Sequence, residues 1–155
     1  ESEQMYGDKG EVPEGEYIIP IGSARIHKQG TDVTIASYGK IIKRVYEAAE
    51  ILEKEGISVE VIDLRSVRPI DYPTIIESIK KTNRLVLVEE AWPVANISAE
   101  IAFHVQRFGF DYLDAPVRRV CAPDVPMSFS KVLVDAYLPS VAKIIDAVKS
   151  VSYVA

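Results

Sequence analysis

The stretch from Ile57 to Asp71 restricts the fold of this chain more than any other. Its first half, Ile57 to Asp63, has the valine and isoleucine content of a buried strand. Pro69 keeps the residue before it out of the helical region. Asp71 then stands where a helix N-cap is expected, with Pro73 in the first turn. A strand, a polar turn and a capped helix in succession predict the central unit of an α/β sheet.

Predicted helices and strands alternate on both sides of this block. Further strands are predicted at residues 21–28, 33–37, 84–90 and 117–121. Helices are predicted at residues 37–55, 74–81, 97–108, 130–136 and after 139. The alternation indicates a three-layer α/β/α domain over residues 21–155. Residues 1–20, rich in acids, glycine and proline, are expected to form an acidic linker or arm.

Local signals also predict how several of these elements begin and pair. Ser37 and Asn96 are the predicted N-caps of the first and third helices. The turn at Gly30 to Asp32 favours pairing of the first two strands as a hairpin.

The charge distribution argues against nucleic acid as a partner, and the lengths of the apolar runs argue against a membrane span. Residues 1–16 carry six acids and one lysine, which accounts for the whole net charge of −5. The remaining residues hold 17 acids and 17 bases, so no basic face for nucleic acid is expected. No apolar run approaches the roughly 20 residues of a membrane helix. The single cysteine excludes an intrachain disulfide and favours a reducing compartment.

The side chains that most often do chemistry do not converge in the sequence. Cys121 is expected to be a buried, inert thiol in the last strand. His104 flanks an apolar stripe and His27 lies in an exposed-looking strand, and their separation gives no zinc-ligand spacing. The pair Glu89-Glu90, at the end of a strand, is expected to be solvated. We therefore expect no catalytic, cofactor or metal site in this chain.

Three further segments carry polar or aromatic groups of interest. Arg65, Arg68 and Asp71 are interpreted first as groups that fix the turn after the central strand. Trp92, on an irregular loop before Pro93, is a candidate interface anchor. The segment Ser37–Gly39 stands at a helix N-terminus and could bind an anion, although one glycine is not a phosphate-binding fingerprint. It supports the alternative that the chain is a self-sufficient small-ligand or phosphate-binding α/β module.

Four stretches together resemble one family, the C-terminal domain of the pyruvate dehydrogenase E1 component β subunit, which is of the transketolase C-terminal type. The resemblance spans essentially the whole chain and rests on Met5–Gly7, Val59–Asp71, Thr82–Glu90 with Trp92-Pro93, and Tyr112–Pro116 through Asp124–Met127. The turn Asp-Leu-Arg-Ser-Val-Arg-Pro-Ile-Asp alone indicates only the wider group of thiamine enzymes. One departure is visible, because Val94–Ile97 stands where the family usually has a glycine-bearing loop.

The resemblance implies a scaffold within a larger enzyme. In the family, thiamine diphosphate and magnesium lie between the α subunit and another domain of the β subunit, so this domain is expected to hold neither and to be inactive alone. The parent enzyme decarboxylates pyruvate and acetylates the lipoyl group of E2, in the bacterial cytoplasm or the mitochondrial matrix. The implied partners are the E1 α subunit, a second β subunit and the subunit-binding domain of the E2 acetyltransferase. The implied sheet has five strands, mostly parallel, with an antiparallel first strand beside the third.

The resemblance also directs attention to residues that could contact E2. Its subunit-binding domain is, by resemblance, a small basic module that docks near the C-terminal ends of the β subunits. Asp114, in a turn ended by Pro116, is the best candidate acidic partner. Val154 and Ala155 at the chain end offer an apolar contact and a carboxylate. Asp114 could equally be a turn residue bonded to its own backbone.

Overall fold

The computed structural model describes residues 6–154. Within these residues it contains five strands and five α-helices. The strands are β1 (Arg25–Lys28), β2 (Val33–Ser37), β3 (Val59–Asp63), β4 (Leu85–Val88) and β5 (Arg118–Val120). The helices are α1 (Ile42–Lys54), α2 (Tyr72–Thr82), α3 (Ile97–Phe108), α4 (Lys131–Tyr137) and α5 (Val141–Ser152). Residues 6–24 lie in neither a helix nor a strand.

The strands form one mixed sheet with the order β1-β3-β2-β4-β5. Strand β1 pairs antiparallel with β3, while β2–β3, β2–β4 and β4–β5 are parallel pairs. The sheet implied by the family resemblance is therefore confirmed, and the local prediction of a β1–β2 hairpin is wrong. The connection between β1 and β2 passes across the start of β3, which lies between them in the sheet. There the Asp32 N–H donates to the Ser58 carbonyl at 2.9 Å. Gly30 allows the crossing, since a Cβ there would lie 2.1 Å from the Val59 carbonyl carbon.

Helices cover both faces of the sheet, as the three-layer prediction requires. Alternate residues of each central strand point to opposite faces. One core joins Val33, Ile35 and Val61 to α1 and α5. The other joins Ala36 and Ile62 to α2 and α3. Because strands β2 to β5 are mutually parallel, their carboxyl ends lie at one end of the sheet.

The helix starts show which local signals decide structure. Asn96 caps α3 by accepting the Ala99 N–H at 3.0 Å, as predicted. The prediction that Ser37 caps α1 is wrong, because the helix begins only at Ile42 and no side chain of its N-cap residue makes the capping bond. The Ser37 hydroxyl donates instead to the Val88 carbonyl at 2.8 Å and joins β2 to β4.

Asp71 fixes the turn after the central strand, as the sequence indicated. One carboxylate oxygen accepts the Thr74 N–H at 3.1 Å and caps α2. The other accepts the Thr74 hydroxyl at 2.7 Å and the Ala24 N–H at 2.9 Å, which ties the segment before β1 to this turn. Burial alone would raise the pKa of Asp71, but these hydrogen bonds outweigh it and hold the pKa below its ordinary value.

A polar network lies between the sheet and α2. Glu60 of β3 is buried, and its carboxylate accepts hydrogen bonds from the Ser78 hydroxyl and the Lys81 ammonium. The Thr34 hydroxyl bonds to those of Ser78 at 2.6 Å and Thr82 at 2.7 Å. Because each buried polar group has a partner, the network fixes α2 on the sheet.

Candidate functional site

The carboxyl ends of the parallel strands converge on one buried carboxylate, Glu89. Its side chain is 0% exposed, so the prediction of a solvated Glu89-Glu90 pair is wrong for Glu89. The carboxylate accepts hydrogen bonds from the Tyr38 hydroxyl at 2.9 Å, the Ser98 N–H at 3.3 Å and the Ser98 hydroxyl. Burial, followed by the Glu89 charge, raises the pKa of Tyr38 above its ordinary value, so this hydroxyl remains a donor.

Arg119 joins the carboxylate to the loop that carries the tryptophan. A terminal guanidinium nitrogen lies 4.0 Å from a Glu89 carboxylate oxygen. The guanidinium donates to the Ser98 hydroxyl at 2.7 Å, to the Asn96 side-chain oxygen at 2.9 Å and to the Pro93 carbonyl at 2.7 Å. These bonds connect β5, the start of α3 and the loop after β4, so we call Tyr38, Glu89, Ser98 and Arg119 the carboxyl-edge network. Sequence analysis missed it, and the only signal was an acidic residue that continues an apolar strand.

The loop held by Arg119 presents an aromatic side chain to solvent. Trp92 is 52% exposed, and its backbone carbonyl accepts a hydrogen bond from the Asn96 side chain. Ala95 has a φ of 52°, in the left-handed region that favours glycine. A glycine at this position in the Val94–Ile97 loop would adopt the same φ without strain. The exposure of Trp92 is consistent with an anchor, which stays a prediction.

The segment considered as an anion site is already satisfied by the chain itself. The Ile41 N–H, at the start of α1, donates to the Glu90 carboxylate at 3.0 Å. Helix N-termini attract anions through such donors. The Glu90 carboxylate is bound at this helix start, and Glu89 is its neighbour in the chain. A diphosphate placed at the start of α1 would therefore lie next to two carboxylates. The residues at Ser37–Gly39 therefore do not fit the phosphates of thiamine diphosphate.

An open cleft lies beside this network. It has a volume of about 640 Å³ and is lined by Tyr38, Asn96, Glu100 and four apolar side chains. The described residues include no cluster of three or more histidine, cysteine or acidic side chains that could hold a metal ion. The cleft thus offers an aromatic ring, an amide and a carboxylate, but no arrangement of a nucleophile, a base and an oxyanion donor.

Cys121 lies one residue beyond β5 and is partly exposed, so the prediction of a buried position within the last strand is wrong. Its sulfur is 3.6 Å from the Glu89 carboxylate and 3.7 Å from the Arg119 guanidinium. Burial, aided by the Glu89 charge, raises the pKa of the thiol. The thiolate that would react is therefore disfavoured.

Both histidines are stacked on tyrosines. His27 is exposed, as predicted, and its ring lies 3.8 Å from that of Tyr46. His104 lies at the edge of the core, with its ring 3.6 Å from that of Tyr72. Desolvation lowers the pKa of His104, which keeps the ring neutral at neutral pH.

The predicted partner-binding residues fall into two groups at opposite ends of the sheet. Asp114 lies near the end of α5, because its backbone carbonyl accepts the Tyr153 hydroxyl at 3.1 Å. Its N–H donates to the Asn83 carbonyl, just before β4, at 2.8 Å. Trp92 follows the other end of β4 and is not brought to Asp114. Val154 is half exposed, while Ala155 lies outside the described residues.

A recess adjoins Asp114. Its volume is about 490 Å³, and Phe110, Leu113 and Val117 contribute to its wall. Asp114 is exposed, so its carboxylate faces solvent beside this apolar wall. The two observations describe a surface that could accept a basic side chain with an apolar stem.

Comparison with known proteins gives the family. The family model described as "Transketolase, C-terminal domain" matches residues 22–144. The chain belongs to the transketolase C-terminal domain family. A solved structure titled "Split gene transketolase, inactive beta4 tetramer" superposes with a TM-score of 0.78 at 28% identity, over 94% of this chain and 46% of that one.

The curated relatives of this transketolase C-terminal domain are subunits of larger enzymes. It is 49% identical to the pyruvate dehydrogenase E1 component subunit beta of Rhizobium meliloti, over 99% of this chain and 34% of the relative. It is 47% identical to the mitochondrial protein of that name from Dictyostelium discoideum, over 98% of this chain and 44% of the relative. The beta subunit of acetoin:2,6-dichlorophenolindophenol oxidoreductase from Cupriavidus necator is 46% identical, over 96% of this chain and 44% of the relative. The chain therefore spans about a third to a half of the length of these relatives.

These similarities confirm the family resemblance drawn from the sequence motifs. They do not separate the pyruvate type from the acetoin type, because the identities to the two differ by only a few percent. None of the helices in the described part of the chain has the length and apolar character needed to cross a bilayer.

Proposed function

We propose that this transketolase C-terminal domain is the assembly domain of the β subunit of a pyruvate dehydrogenase E1 component that uses thiamine diphosphate. In this role it contacts an E1 α subunit, a second β subunit and the subunit-binding domain of E2, and holds no active site alone. The names of the relatives support this choice of parent enzyme. We place that enzyme in the bacterial cytoplasm or the mitochondrial matrix.

Exposed apolar side chains are the observation that carries this proposal. Large aromatic and aliphatic residues are exposed on α3, on the loops beside it and on the segment around α4. They include Trp92, Phe103, Phe110, Phe129 and Leu133. Aromatic residues are enriched at protein–protein interfaces. The same surface holds no converging catalytic groups among the described residues.

The alternative, a self-sufficient phosphate-binding or small-ligand module, has less support. The donors at the start of α1 already bind Glu90. The remaining cleft presents Glu100 and Tyr38, which do not favour an anion.

The experiment that tests the proposal compares two kinds of binding by the same chain. We expect it to form a complex with the E1 α subunit in size-exclusion chromatography, and to give no heat with thiamine diphosphate and magnesium in calorimetry. Micromolar cofactor binding without a complex would favour the alternative.

Asp114 and the chain end are the part of this proposal that concerns E2. A basic module would meet the Asp114 carboxylate next to the recess, with Val154 nearby because the preceding Tyr153 bonds to Asp114. Loss of a partly desolvated charge pair costs roughly 2–5 kcal/mol. Calorimetry of the E2 subunit-binding domain against the assembled enzyme should therefore show weaker binding for Asp114→Asn and for a chain without its last three residues. Affinity within about twofold of wild type for both variants at low salt would contradict this assignment.

A further inference from the structure

Strand β5 lies at the edge of the sheet, so one side of its backbone has no neighbouring strand. The Val120 carbonyl accepts the Glu89 N–H at 3.1 Å, which directs the backbone polar groups of Val120 towards β4. In a parallel pair, alternate residues point their N–H and C=O groups to opposite sides of the strand. Those of Arg119 and Cys121 therefore point away from β4, and within residues 6–154 no backbone carbonyl accepts either N–H. The free edge presents two donors and two acceptors.

A cleft of about 420 Å³ lies at this free edge, between β5 and α5. Arg119 and Cys121 both line the cleft, although their side chains lie elsewhere. The Arg119 guanidinium bonds to Ser98 and Asn96 at the start of α3, which packs on the opposite face of the sheet from α5. The Cys121 sulfur lies 3.7 Å from that guanidinium. Both residues therefore contribute backbone, rather than side chain, to the wall of the cleft.

Two cations without a partner flank the cleft. Arg118 and Lys143 line it and are exposed, and within residues 6–154 neither forms an ion pair. The Arg118 Nε donates to the Ser150 hydroxyl at 3.3 Å, so Arg118 lies near the end of α5, whereas Lys143 lies near its start. At about 1.5 Å of rise per residue, Lys143 and Ser150 are roughly 10 Å apart along the helix. Asp146 is the only acid among the lining residues, so positive charge is in excess.

The free backbone groups and the cations together select an extended peptide over a small anion. A phosphate placed at the edge would meet the two N–H donors, but also two carbonyl oxygens, which repel it. A peptide strand satisfies donors and acceptors together, as in strand addition to a sheet edge. Carboxylate side chains on that strand would reach the cations. The opposite edge, β1, is less suited to an acidic strand, because Lys28 already pairs with Glu50 at 3.2 Å and Glu53 at 3.6 Å.

We propose that the free edge of β5 binds an extended acidic segment of another polypeptide, which adds to the sheet as a further strand. The backbone of this segment exchanges hydrogen bonds with Arg119 and Cys121. Its carboxylates contact Arg118 and Lys143, so acidic residues alternate with uncharged ones along it. The inference goes beyond the proposed assembly role and holds whichever enzyme the parent is.

A synthetic peptide with alternating residues is the probe. Acetyl-Glu-Val-Glu-Val-Glu-Val-amide is titrated into the ¹⁵N-labelled chain, and backbone amide shifts are followed by NMR. We expect saturable shifts of the Arg119 and Cys121 amides at peptide concentrations of about 0.01–1 mM. The Ile26 amide, on the opposite edge strand, should not shift. The same peptide with lysine in place of glutamate should not bind, because it meets the two cations with like charge.

Charge reversal tests the contribution of the two cations. Arg118→Glu and Lys143→Glu should each weaken binding of the glutamate peptide roughly fivefold or more. Arg107→Glu, an exposed position on α3, is the matched control and should leave the affinity unchanged. Because all three side chains are exposed, thermal denaturation should show midpoints close to wild type, which separates loss of binding from loss of folding.

Methylation of the peptide nitrogens separates backbone pairing from simple charge attraction. One peptide is N-methylated at its valines and a second at its glutamates, with the charge unchanged. The N–H groups of alternate residues point to the same side of an extended strand, so each peptide loses the donors of one side only. The peptide whose methyl groups face β5 should bind roughly tenfold or more weakly than the parent peptide, and the other should bind as the parent does.

Three results would overturn the inference. One is the absence of any shift at Arg119 and Cys121 up to the highest peptide concentration. Another is equal binding of the two methylated peptides, which would mean that the backbone edge takes no part. The third is displacement of the peptide by inorganic phosphate beyond the effect of sodium chloride at the same ionic strength, which would indicate a small-anion site instead. Binding to the E1 α subunit is measured separately, so its loss would count against the proposed function alone.

Discussion

The Arg119 guanidinium donates a hydrogen bond of 2.7 Å to the backbone carbonyl of Pro93, and so ties the end of β5 to the loop that presents Trp92. The same side chain lies against the buried Glu89 carboxylate and donates to Ser98 and Asn96. One side chain thus connects three segments that are distant in the sequence. The Arg119 side chain that holds the exposed tryptophan loop is thus the one that neutralises the buried Glu89 carboxylate.

The first prediction concerns Arg119→Met. This change removes the bonds to the loop and leaves Glu89 buried without its cationic neighbour, at an expected cost of roughly 2–4 kcal/mol in the free energy of unfolding. Trp92 is the only tryptophan in the chain, so its fluorescence reports on this loop alone. We expect lower anisotropy and stronger acrylamide quenching in the native state. Arg118→Met, on the same strand but exposed, is the control. Equal quenching in both variants would show that Arg119 does not hold the loop.

The second prediction concerns Asp71→Ala. It removes the cap of α2 and the partner of the Ala24 N–H, so unfolding should become easier by about 1–3 kcal/mol at neutral pH. Because the pKa of Asp71 is lower in the folded protein, its ionised form stabilises the fold above pH of about 4, and that contribution is lost as the pH falls through the folded pKa. Denaturation across this pH range should show the gap between wild type and variant narrowing in acid. Asp124→Asn, in an exposed loop, is the control variant.

The third prediction concerns Ala95→Gly. The φ of 52° is strained for alanine but not for glycine. Glycine also makes the unfolded chain more flexible, so the net gain in stability should be small, up to about 1 kcal/mol. Thermal denaturation should show a higher midpoint for Ala95→Gly and a lower one for Ala99→Gly, which lies inside α3. A lower midpoint for Ala95→Gly would mean that the loop is not strained.

The fourth prediction concerns Cys121, the single thiol. Partial burial and the Glu89 charge disfavour its thiolate, so a thiol reagent at neutral pH should label the native chain roughly tenfold or more slowly than the unfolded chain. The native rate should increase as the pH approaches the raised pKa. Labelling of the native chain as fast as the unfolded chain would contradict the buried contacts of the sulfur.

Sequence patterns predicted the elements that depend on neighbouring residues. The bounds of α3 and its Asn96 cap, and the Asp71 cap of α2, follow from groups within one turn of each other. The place of β1 did not, because its partner β3 lies beyond an intervening strand and helix and no local turn encodes that pairing. The family resemblance supplied the correct order.

The carboxyl-edge network was beyond local reasoning for the same reason. Glu89 ends an apolar strand, and in the sequence nothing distinguishes it from a solvated acid at the end of a strand. Its burial is possible only because Tyr38, Ser98 and Arg119 arrive from three other segments. Likewise, Ser37 follows the residue pattern of a cap, but the hydrogen bond to Val88 on the neighbouring strand takes its hydroxyl.

A competition measurement tests the assembly role most directly. Dissociated E1 α and full-length β subunits are reassembled with increasing amounts of this chain, and the recovered pyruvate dehydrogenase activity is followed. The account predicts that activity falls as the chain occupies the contacts between subunits without supplying an active site. Full recovery of activity at a large excess of the folded wild-type chain would contradict it.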